Sequence, residues 1–91
     1  MSNQELIELR ESINEIDKKL IDLIKERMEI SVKIGKYKSV NNLSILNNNR
    51  EKEVIENLKN YNDNKLDNKF IERVWLQIMG YSKIIQNQNF S

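Results

Sequence analysis

Apolar residues recur at Leu6, Leu9, Ile13, Ile16, Leu20 and Leu23, then at Ile30, Ile34 and Tyr37, mostly in alternating steps of three and four. That spacing predicts one helix over residues 5–39 with a narrow apolar seam. Good helix formers (Glu, Lys, Leu, Arg) fill most of the other positions, and no proline interrupts them. A second, shorter helix is expected over 49–60, where Val54, Ile55 and Leu58 share a face. Asn47, Asn48 and Asn49 are its candidate N-caps, and Glu51 falls in the first turn, where the helix dipole favours an anion. A third is expected over 67–88: Asp67 is a candidate cap, and Ile71, Val74, Trp75, Ile78 and Ile85 run at helical spacing. Gly80 stands inside it, at a cost of about 1 kcal/mol relative to alanine unless another backbone approaches closely. The polar tail after Asn87 is expected to fray.

Asparagine takes over the punctuation that proline and glycine usually supply. Its clusters at 41–49 and 57–68 separate the three segments, because Asn favours turns and caps over helix interiors. A helix over 5–39 spans about 50 Å, whereas a compact chain of this length has a diameter of only about 30 Å. Part of the seam therefore needs another chain, and a two-fold dimer is the simplest closure. The expected fold is all-α: one very long, one short and one medium helix, intertwined in a helical homodimer, with residues 1–91 as a single domain.

Composition narrows the chemistry. There is no cysteine or histidine, so disulfides, thiolate nucleophiles, zinc fingers and imidazole bases are excluded. Fifteen Lys and Arg against fourteen Asp and Glu leave a net charge of +1, which points to neither nucleic acid nor a membrane surface. No EF-hand-like run, signal peptide or membrane-length apolar stretch is visible, so a soluble cytoplasmic chain without a metal is expected.

The informative residues are polar ones on apolar stripes. Where the first seam calls for an apolar residue, the chain has Arg27, and an unpaired buried guanidinium costs several kcal/mol. Lys38 follows three turns later, within about 20° of the same face and ~16 Å along the axis. In the plain reading Arg27 pairs with Glu26, Glu29 or an acid of another helix, and Lys38 is solvated. Ser82 and Gln86 continue the third stripe one and two turns after Ile78; fraying toward solvent is their plain reading. Glu51 shares a face with Asn47, Ile55 and Leu58, and Arg50 beside it reads equally as a surface arginine. Taken together, these residues describe a polar cavity with excess cations, one carboxylate, and hydroxyl and amide groups. Such a cavity suits a small, multiply anionic ligand. Any catalysis in it must work by positioning and electrostatics.

From about Leu6 to Gln88 the sequence resembles the all-helical class of chorismate mutase. The resemblance rests on LRESINEIDKKLIDLIKERMEISVKIGKYK, then NNNREKEV, then Ser82 and Gln86, in that order. It implies a cofactor-free rearrangement of chorismate to prephenate, in phenylalanine and tyrosine biosynthesis, by a homodimer. By position, Arg27 resembles the arginine that grips a substrate carboxylate within the same protomer. Arg10 resembles the one supplied across the dimer, and it lies about 25 Å along the helix from Arg27, too far to reach the same small molecule in cis. Lys38 and Gln86 resemble the donors to the ether oxygen, and Glu51 the acceptor of the ring hydroxyl, helped by the backbone near Asn47. Arg50 and Ser82 resemble contacts to the carboxylate that Arg27 holds. Position 47 departs from the pattern, which frequently has aspartate there. Two other readings fit the same features: an isochorismate pyruvate-lyase on the same scaffold, and a non-catalytic helical dimer or regulatory module.

Overall fold

The computed structural model describes residues 3–90, the side chains of 89 and 90 excepted. It contains three helices, α1 (Asn3–Val40), α2 (Asn48–Asn62) and α3 (Asn68–Phe90), and among the described residues no strand. The all-α reading holds: α1 starts two residues earlier and ends one later than the pattern predicts, α2 one earlier and two later, and α3 one later and two later. α3 runs past Asn87 to Phe90, so the expected fraying does not begin there; Ser91 lies outside the described residues. No helix is long and apolar enough to cross a membrane among these residues.

The chain divides into two compact units, Met1–Ile30 and Ser31–Ser91. The first is the leading part of α1. Its surface carries ordinary helix chemistry, with Lys18 bonded to Glu15 at 3.3 Å and Gln4 to Glu8 at 3.2 Å. Such exposed pairs contribute a few tenths of a kcal/mol each. The apolar residues of its seam, Leu6 to Ile30, are exposed, with Ile13 at 58% and Leu23 at 59%.

The second unit holds the end of α1, the linker, α2 and α3. α1 stops in a Schellman arrangement: Leu43 N–H donates to Lys38 C=O at 2.8 Å and Asn42 N–H to Ser39 C=O at 3.3 Å. Asn42 takes the left-handed conformation, φ 56°, that this cap requires. Asn47 caps α2, its side-chain oxygen accepting from Arg50 N–H at 3.0 Å. α2 ends at Asp63 and Asn64, both left-handed. There the side chain of Asn62 acts as a piece of backbone: it accepts from Leu66 N–H at 3.0 Å and donates to Leu66 C=O at 2.7 Å. Asp67 caps α3 by accepting from Lys69 N–H at 3.0 Å, as its position predicts.

The α2–α3 hairpin closes on Ile55, Ile71 and Met79, all buried. Val54, Leu58, Val74, Trp75, Ile78 and Ile85 flank them half-buried, and Lys59 reaches Glu72 between the two helices at 3.5 Å. A Cβ added to Gly80 meets nothing within 4 Å, so no backbone of this chain repays that glycine. Gly80→Ala is expected to stabilise the protein by about 0.5–1 kcal/mol, read from a denaturant melt. A loss of stability would instead show that another chain's backbone approaches here.

Candidate functional site

Polar groups share the interior of the second unit with the apolar core. Ser31, near the end of α1, accepts a 2.8 Å hydrogen bond from the Gln86 amide nitrogen of α3. Both residues are buried, as is Ser82 one turn earlier, with Ser82 at 7% and Gln86 at 6% exposure. Gln86 Oε1 is buried with no hydrogen-bond partner. An unmatched acceptor of that kind costs about 1–3 kcal/mol, and such groups in a folded interior call for an explanation in terms of a ligand, a water or strain. Fraying is therefore excluded for Ser82 and Gln86.

Lys38 is half-buried at the last turn of α1, and its ammonium donates to Ile45 C=O at 2.9 Å. It pins the linker and is not freely solvated. Glu51, in the first turn of α2, is held by Lys83 of α3, with Nζ and Oε1 2.8 Å apart. Lys83 also borders a cavity of about 390 Å³, together with Gly35, Ser39, Leu46 and Asn87. Asn47 is exposed and committed to capping; Arg50 is exposed and paired with Glu53 on its own helix, as a surface arginine would be. In the first unit Arg10 is exposed and Arg27 half-buried.

The second unit thus holds a hydroxyl-bearing and amide-bearing interior, two lysines, Lys38 and Lys83, and the carboxylate of Glu51. Over residues 9–87 the chain matches the Chorismate mutase type II family. The chain belongs to that family. The bifunctional chorismate mutase/prephenate dehydratase of Escherichia coli (strain K12) is 33% identical over 86 residues, covering 93% of this chain and 22% of that protein. The protein of the same description from Buchnera aphidicola subsp. Schizaphis graminum (strain Sg) is 32% identical over 88 residues, covering 96% and 23%. That of Aquifex aeolicus (strain VF5) is 39% identical over 59 residues, covering 65% and 16%. The chain spans about a fifth of the length of the relatives it matches over most of its own length.

Three participants in this chorismate mutase-type chain escape sequence reading. Ser31 sits four residues after Arg27 and four before Gly35, so a small polar residue on that stripe was the available signal. Lys83 lies one position beyond Ser82, off the apolar stripe, and carries no signal of its own. The Ile45 carbonyl belongs to the backbone and is invisible to any residue pattern. Asn47, by contrast, has a measurable structural duty. Asn47→Ala is expected to cost about 1 kcal/mol of stability and Asn47→Asp almost nothing, since aspartate caps equally well. Urea unfolding of the two variants checks this.

Proposed function

We propose that residues 1–91 act as one chorismate mutase-like helical domain that converts chorismate to prephenate, without a cofactor, as a cytoplasmic homodimer. The observation that carries this reading is the family match across residues 9–87. The burial of Ser82 and Gln86, with the Gln86 Oε1 acceptor unmatched, supports it. The exposed seam from Leu6 to Ile30 supports the dimer, since each half-exposed Leu or Ile forgoes on the order of 1 kcal/mol of burial.

In this reading the breaking C–O bond of a chair-like transition state leaves negative charge on the ether oxygen. Lys38 and Gln86 donate to that oxygen. Their present bonds do not use them up: an ammonium has three N–H groups and a carboxamide two, while Lys38 gives one to Ile45 and Gln86 one to Ser31. Arg27 holds one substrate carboxylate with Arg50 and Ser82, and Arg10 of the second protomer holds the other. Glu51 accepts the ring hydroxyl beside the Asn47 backbone. The arginines freeze the reactive conformer, and the donors bind the transition state more tightly than the ground state. A 10⁶-fold acceleration, roughly 8 kcal/mol, asks little more than these two effects, since a single oxyanion donor contributes about 3–4 kcal/mol.

The deciding experiment follows chorismate disappearance spectrophotometrically and identifies the product. Prephenate is expected; pyruvate released from isochorismate would favour the lyase, and turnover of neither would favour a binding module. Lys38→Ala is expected to lower kcat by about 10²–10³-fold with little change in KM, and a change in KM alone would remove Lys38 from the ether oxygen. Arg10→Ala and Arg27→Ala dimers are both expected to be nearly inactive. Random exchange of their subunits makes half the dimers mixed, each with one intact site of two, so activity should recover to about a quarter of wild type. No recovery in demonstrated heterodimers would rule out an arginine supplied in trans.

A further inference from the structure

Lys83 has no part in the arrangement above, yet its ion pair, like Lys59–Glu72 at 3.5 Å, joins separate helices. The pairs Lys18–Glu15, Lys25–Asp22 and Arg50–Glu53 each join neighbours on one exposed helix face. Lys83–Glu51 joins α3 to the first turn of α2 across 32 positions of sequence, at 2.8 Å. Its carboxylate, 22% exposed, is the least exposed of those ion-paired among the described residues.

Stability alone does not call for this pair. A carboxylate in the first turn of a helix is already favoured by the helix dipole, and a partly exposed ion pair adds little. Glu51 is also the one acid in that turn, the capping position being the neutral Asn47. What the lysine does provide is geometry and charge. It engages Oε1 and leaves the second carboxylate oxygen to accept a hydrogen bond. It also offsets the one negative charge that a dianionic guest would otherwise meet on that side. Lys83 also borders the cavity that Gly35, Ser39 and Leu46 line.

We propose that Lys83 is a positioning residue for Glu51, orienting the carboxylate toward the substrate's ring hydroxyl and compensating its charge. The proposal rests on the chorismate mutase reading. The hydroxyl is present alike in ground and transition states, so the contribution is one of uniform binding and belongs in KM.

The test is a double-mutant cycle on the full chain, with chorismate as substrate. Lys83→Met keeps length and apolar stem and removes the charge; it is expected to raise KM about 5–10-fold with kcat within about twofold. Lys83→Arg should retain most of the affinity. In the Glu51→Gln background, Lys83→Met should have no further effect. With a chorismate derivative whose ring hydroxyl is methylated, wild type and Lys83→Met should have the same KM. Unchanged thermal midpoints show that the variants fold, and Lys83→Gln repeats the test if the methionine variant does not. Additive effects of the two substitutions, a loss confined to kcat, or an equal penalty on the methylated substrate would each overturn the role of Lys83 alone. Absence of chorismate turnover by wild type would instead overturn the underlying reading, and this role with it.

Discussion

Water in contact with the seam of α1 sets the terms for this molecule. From Leu6 to Ile30 the stripe is leucine and isoleucine except at Arg27, and every apolar residue named on it is exposed. Apolar area in water is the main cost that folding removes, and a lone surface helix with such a stripe has nothing of its own to remove it with. Serine and glutamine, meanwhile, sit among the most buried side chains of the second unit. A chain that exposes isoleucine and buries glutamine is organised for something other than its own stability. In the homodimer proposed above a second copy would cover the seam, and in the proposed site a polar ligand would sit beside Gln86. In that enzyme the two would coincide, because the protomer that covers the seam also carries Arg10.

The interior polar groups are arranged so that holding the fold does not exhaust their chemistry. Lys38 spends one donor on the linker, Gln86 spends one on Ser31, and Glu51 spends one oxygen on Lys83. Each internal bond fixes a direction while leaving bonding capacity for a guest. In the proposed enzyme, reorganisation on binding would then be small, which is the condition under which fixed dipoles and charges act most strongly on a transition state.

Features governed by local chemistry were legible in the sequence. Three- and four-residue spacing gave the helices, and the side chains of Asn47 and Asp67 marked two starts because a cap is made within three residues of itself. Ser82 and Gln86 stood out because they replace apolar residues on a stripe. Less legible was anything that joins distant segments. The Ser31–Gln86 bond spans 55 positions, the Glu51–Lys83 pair 32, and neither has a periodicity to betray it. Met79 completes the core at i+4 from Trp75 and i+8 from Ile71, on the face that their spacing already marks. Of the proposed site residues, Arg50 remains on the surface with Glu53, as a local reading of the sequence allowed.

The turns carry a different lesson. Asn42, Asp63 and Asn64 adopt left-handed backbone without a glycine among them, and Asn62 threads its side chain through the second turn as a substitute main chain. Connecting segments are usually where a lineage accumulates replacements most freely. Here only glycine, asparagine and aspartate sit comfortably at those three positions, so the choice of residue at each of them is confined to a narrow alphabet. The solvent-facing positions of the helices themselves are left as the freer ground for change.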